Sequence, residues 1–168
     1  GTPVVCVPNT GTGSGVERTT SLLSGISVRN GSIRGMGSVG VFLGTQSEVT
    51  HVRVRSNRRS GISVSTGSTV WGNTAFQNGG TGISTSDGSN VSRNTADQNG
   101  GEGIFANKGS TVSDNTANDN ASDGIYASDG STVSGNTASE NGGDGISTDT
   151  GATVWGNTVY ANTGNGLN

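Results

Sequence analysis

The sequence is poor in most of what a conventional globular core requires: 27% of residues are hydrophobic and 4% aromatic. A single cysteine, Cys6, excludes an intrachain disulfide and any Cys/His metal cluster. With one histidine, His51, a Ser/His/Asp triad has only one available centre. No apolar run approaches the length of a membrane span. No signal peptide opens the chain, an absence that says little because the sequence starts abruptly at Gly1. Nothing in the composition calls for a metal or another cofactor. At 168 residues there is room for one domain.

What the chain does contain is glycine, 31 residues of it, among abundant Ser, Thr and Asn. Read without order, such a composition describes a linker. Its charge is also unevenly placed. Residues 1–60 hold seven of the nine basic residues against two acids, whereas 61–168 hold two basic residues against ten acids. A folded rod would therefore be basic at one end and acidic along the rest, and the basic end suggests an acidic polymer as partner.

Order comes from self-similarity. Segments starting at Gly61, Gly82, Gly103, Gly124 and Gly145 align without a gap, each reading approximately Gly-Ile-x-x-x-x-Gly-Ser-Thr-Val-x-x-Asn-Thr-Ala-x-x-Asn-Gly-Gly-x. The period is 21 residues. Ile62, Ile83, Ile104, Ile125 and Ile146 share one column; Val70, Val91, Val112, Val133 and Val154 share another. Asn73, Asn94, Asn115, Asn136 and Asn157 form a third, and Asn78, Asn99, Asn120, Asn141 and Asn162 a fourth. With weaker identity the register runs backwards through Val41, Val49, Val54 and Asn57, then Val28 and Ile33.

Short alternating apolar runs are strand periodicity, and glycine and asparagine punctuate them where positive-φ corners are needed. Three short strands and three corners close one coil; coils stacked about 4.8 Å apart pair each strand with its copies. The expected fold is all-β, a single-stranded right-handed parallel β-helix of about seven 21-residue coils, roughly 34 Å long. Residues 19–168 form it, and residues 1–18 are expected as an irregular lead-in with one strand at Val4–Val7. The asparagine columns predict hydrogen-bonded ladders inside the turns. A left-handed hexapeptide helix needs multiples of six, a leucine-rich repeat needs absent leucines, and a calcium-binding nonapeptide would need an acid where Ser147 stands.

Over residues 19–168 this pattern resembles the parallel β-helix repeats of the pectate-lyase-like superfamily, in particular bacterial proteins of many similar coils with Asn-Thr turns. The resemblance implies a polysaccharide partner, with a cleft beside the first strand of each coil and the turn preceding it.

Glu102, Asp123 and Asp144 fall in that turn, next to Phe105 and Tyr126, which alternation points outward. Asp87, Asp129 and Asp149 lie at the far end of the same strand. Carboxylates beside rings suit sugars, because rings stack on C–H faces while acids accept from hydroxyls. Asp123 and Asp144, one coil apart, would be about 5 Å apart, near a retaining-glycosidase separation. Exposed acids equally keep a repetitive β protein soluble. A lyase would need clustered calcium-binding acids and a base, and only Lys108 lies nearby.

A second group lies at the basic end. Arg34 and Arg55 share a column that continues as Phe76; Arg29 and Trp71 share another, with Arg53 and His51 close by. Guanidinium groups beside rings suit an anionic polysaccharide. A third group, the threonine file Thr74, Thr95, Thr116, Thr137 and Thr158, has the regular hydroxyls and methyls of an ice-binding surface, but Trp71, Trp155, Asp97 and Tyr160 interrupt its flatness. The expected function is a secreted or surface-exposed bacterial module contacting polysaccharide, not nucleic acid, without a demonstrable catalytic site. The rivals are a hydrolase or lyase using Asp123, Asp144 and Glu102, and an ice-binding or structural rod. Without a capping helix, end-to-end stacking or flanking coils are also expected.

Overall fold

A computed structural model describes residues 12–18 and 24–168, so the strand expected at Val4–Val7 lies outside the described residues. The chain is a right-handed parallel β-helix of about seven coils, and among the described residues every strand pairing is parallel. The first face of the coil is a seven-stranded sheet comprising Val16–Glu17, Val41–Leu43, Ile62–Val64, Ile83–Thr85, Ile104–Ala106, Ile125–Ala127 and Ile146–Thr148. The second face stacks Thr69–Trp71, Asn90–Ser92, Thr111–Ser113, Thr132–Ser134 and Thr153–Trp155. The third stacks Thr74–Phe76, Thr95–Asp97, Thr116–Asn118, Thr137–Ser139 and Thr158–Tyr160. Faces two and three merge through Glu48–Arg55, an unbroken strand that turns the corner between them above Ser27–Arg34.

Each residue sits on its copy 21 positions away: Val112 on Val133, Ala117 on Ala138, Ile125 on Ile146. Val28, Val49, Ile33 and Val54 hold the positions the weaker repeat assigned them. The step from Val16 to Val41 is longer, 25 residues, and carries the first sheet back into the segment expected as lead-in. Inward files of Ile, Val and Ala are buried except at the ends, where Val28, Val154 and Val159 are partly exposed, and the lower coils carry the bulkier Ile33, Met36, Leu43, Val52 and Val54.

The corners differ from the expectation in one respect. Glycine was expected at positive φ together with asparagine, yet the ladder asparagines follow the positive-φ residue. Gly72, Arg93, Asp114, Gly135 and Gly156 precede one ladder; Ser56, Gln77, Gln98, Asp119, Glu140 and Ala161 precede the other. A third corner places Gln46, Gly67, Gly88, Gly109 and Gly130 before Ser47, Ser68, Ser89, Ser110 and Ser131. The left-handed residue reverses the chain, so the next side chain points inward. In the Asn and Ser files that side chain is polar and meets backbone groups that the corner exposes and no strand satisfies, whereas Met36 after Gly35 and Val52 after His51 are apolar.

The ladders supply the missing partners. Asn115 Nδ2 donates to Val91 O at 2.9 Å and to Asn136 Oδ1 at 3.0 Å, while its own Oδ1 accepts the Asn94 backbone N–H at 2.9 Å. The second file repeats this geometry from Asn57 to Asn162. A serine file, less evident in the sequence, runs beside them: each Oγ accepts the backbone N–H of the serine one coil earlier, from Ser47 to Ser131. At Val52 the first file lacks its amide, and there the strand runs through the corner, with Val52 N–H donating to Asn73 Oδ1 at 2.9 Å.

The glycine that opens each coil is required by this crowding. A Cβ on Gly103 would lie 2.6 Å from both Asn120 Nδ2 and Gly124 O. One buried polar group is left over: Thr85 Oγ1 has no hydrogen-bond partner among the described residues, at an inward position taken by Val64 in the coil before. Thr85→Val should therefore raise the unfolding free energy by about 1 kcal/mol, read from denaturant titration. In the same measurement Asn115→Ala orphans the Asn94 N–H, takes one donor from Val91 O and should lower it by about 2 kcal/mol. Asn90→Ala, on an exposed side chain, should stay within about 0.5 kcal/mol.

Candidate functional site

The outward file on the first face runs Phe42, Ser63, Ser84, Phe105, Tyr126, Ser147. Phe105 and Tyr126 stack with ring centroids 5.1 Å apart and planes 13° from parallel. Their flanking neighbours in the file are Ser84 and Ser147, side chains too short to cover a ring. Phe42 was not singled out in the sequence, where its repeat neighbours are serines. It carries Arg18 over its ring, 5.4 Å from the centroid.

Acids border this file on both sides. Asp149 Oδ2 accepts from Tyr126 Oη at 2.6 Å and from Ser128 Oγ at 3.1 Å. Asp129 pairs with Lys108 at 3.1 Å, both exposed. On the opposite edge, Glu102 Oε2 accepts from Thr81 Oγ1 at 2.8 Å. Asp123 Oδ1 accepts the Asp144 backbone N–H at 2.8 Å, and Asp144 accepts from the Asn165 N–H at 2.6 Å and Asn168 Nδ2 at 2.9 Å. Asp123 and Asp144 are thus joined vertically in a short acceptor ladder that bonds the chain's own turns.

Tyr126 is the group whose ionisation the site alters. Its phenol is held above the ordinary value of 10.0, chiefly because it donates to Asp149, with burial and then the Asp149 charge adding to the effect. The sign follows directly: a bond made by the neutral phenol to a carboxylate opposes loss of the proton, so the contact holds through neutral pH and opens in strong alkali. Asp149→Asn should lower the Tyr126 midpoint, read by titrating its ring resonances.

The basic residues divide between two faces. On the second face Arg29 pairs with Glu48, which also accepts from Ser27 Oγ, and His51 meets Trp71 edge-on with centroids 4.4 Å apart. His51 occupies a positive-φ corner and leans over Gly72. On the third face Arg34 lies directly beneath Arg55 and Arg55 beneath Phe76, while Arg53 lies between Ser32 and Thr74. The sequence candidates therefore form three groups: Phe105 and Tyr126 with the acids, Arg29 with Trp71, and Arg34, Arg53 and Arg55 with Phe76. The threonine file is continuous on the third face, but Trp155 and Tyr160 are 63% and 53% exposed in the last coil.

The sequence matches the family described as periplasmic copper-binding protein (NosD) over residues 9–168. The chain is a member of the NosD family. No curated protein matches it. Among solved structures it is similar to the periplasmic alginate epimerase AlgG, at 18% identity and a TM-score of 0.69, covering 79% of this chain and 39% of that one. A double mutant of AlgG gives 21% identity and a TM-score of 0.74, covering 84% and 37%. The A-module of the mannuronan C-5 epimerase AlgE4 from Azotobacter vinelandii gives 14% and 0.61, covering 86% and 55%. At such identities these likenesses show the fold, a pectate-lyase-like β-helix, and the chain spans between about a third and just over half of each protein.

The NosD description raises the question of copper. Copper(I) selects thiolate and thioether donors, and copper(II) imidazole and carboxylate in tetragonal arrangement. The sequence has one Cys, one His and one Met. Met36 is buried in the core, His51 packs on Trp71 at the surface, and Cys6 lies outside the described residues. Among the described residues no three of His, Cys, Asp or Glu converge on a point. The described residues do not fit a resident copper centre.

Proposed function

We propose that this NosD-family β-helix works outside the cytoplasm as a carbohydrate-contacting module, and that the first face is its contact surface. The observation that carries the proposal is the Phe105–Tyr126 stack, with an uncovered ring face at either end and acids along both edges. A pyranose ring presents C–H bonds on its face and hydroxyls at its rim. The aromatic faces match the first, and the carboxylates of Asp129 and Asp149, together with the serines flanking the rings, match the second. The alginate epimerases it resembles in fold act on a polysaccharide by name, which agrees with this substrate class.

The contact is proposed to be non-catalytic. Asp123 and Asp144 accept backbone N–H groups of the following coil, and Glu102 accepts from Thr81, so these carboxylates serve the fold. The test is calorimetric titration with neutral and acidic oligosaccharides, run beside assays for reducing ends and unsaturated products. Binding without product is expected, and Phe105→Ala/Tyr126→Ala should weaken it at least tenfold. Product formation abolished by Asp123→Asn or Asp144→Asn would make the chain a polysaccharide-cleaving enzyme instead.

A further inference from the structure

The third face carries a cluster that this function does not use. Arg34, Arg53 and Arg55 all point outward there, Arg34 and Arg55 one strand spacing apart in the same file and Arg53 two residues from Arg55 on the same strand. Among the described residues the ion pairs are Arg29–Glu48 and Lys108–Asp129, which leaves these three guanidinium groups facing no carboxylate. Three like charges held this close repel one another, and an external anion relieves the repulsion. The file then changes character: Phe76 stands above Arg55, and Asp97 above Phe76.

We infer that Arg34, Arg55 and Phe76, with Arg53 at their side, form a second binding site, for a short stretch of a linear acidic polysaccharide lying along the helix axis. Successive positions in the file are about 4.8 Å apart, close to the advance of one sugar unit in a linear chain. Each guanidinium fork takes one carboxylate or sulfate in bidentate fashion. The ring of Phe76 takes the C–H face of the next unit. Ser32 and Thr74, short and polar beside Arg53, leave the chain room and offer hydroxyls. Asp97 repels a fourth anionic unit and sets the length of the site at three. The site is on a different face from Phe105 and Tyr126 and stands or falls independently of them.

The test is titration of the intact chain with linear uronic-acid oligomers of two to five units, with neutral oligomers of equal length and duplex DNA as comparisons. Affinity for the acidic series should rise to the trimer, level off beyond it and weaken with added salt. Arg34→Ala and Arg55→Ala should each weaken trimer binding about tenfold and flatten its salt dependence, and Arg55→Lys should restore only part, since an ammonium lacks the fork. Phe76→Ala should weaken binding severalfold with the salt dependence unchanged, and Phe105→Ala/Tyr126→Ala should leave trimer binding as it was. Arg34, Arg53 and Arg55 lie outside the core, and circular dichroism checks that each variant is folded. The inference is overturned if the arginine variants bind the trimer normally, if the Phe105/Tyr126 variant loses it, or if DNA binds as tightly with no length plateau.

Discussion

The structure depends on one constraint: a buried amide must find its partners directly above and below. Because every coil is 21 residues long from Val28 onward, the constraint is met by repetition. Asn94, Asn115 and Asn136 each satisfy backbone groups of a neighbouring coil and are satisfied by the next. An apolar core of Ile, Val and Ala then suffices, although it is thin and nearly free of aromatics, because the ladder amides are paired and the strands have neighbours on both sides. Val52 is the exception in that file, and there the corner is continuous strand.

The fold was legible because it is written in the spacing of like residues. Columns of Ile, Val and Asn predicted the vertical pairs, and Val112 does lie against Val133. What the columns did not reveal is how the chain turns. Ladder asparagine and positive-φ residue are neighbours, and the second varies freely among Gly, Gln, Asp, Glu and Arg, so it leaves no signature. The serine ladder was similarly hidden, since serine is common throughout the chain.

The site was only partly legible. Alternation placed Phe105 and Tyr126 outward on adjacent coils, and they stack. Side-chain partners cannot be read from alternation, so the bonds that Asp123 and Asp144 accept from backbone N–H groups left no trace in the repeat. Arg29 was grouped with the free cations for the same reason, since Glu48 lies across the sheet from Ser27 and not beside Arg29 in the chain. Conversely, Arg34 and Arg55 were correctly placed one above the other because they obey the repeat.

Five nearly interchangeable coils raise a question of alignment. Sliding residues 61–165 past their neighbours by one full period would restore most Ile, Val and Asn contacts, so those coils alone hold their pairing only loosely against such a slip. The unlike lower coils are what distinguish one setting from the others. The uninterrupted strand Glu48–Arg55 with Val52 at its bend pairs with another unbroken strand beneath it, and Met36 donates its N–H to Asn57 at a single height. Those segments act as the keyed end of the stack, from which the uniform coils take their count.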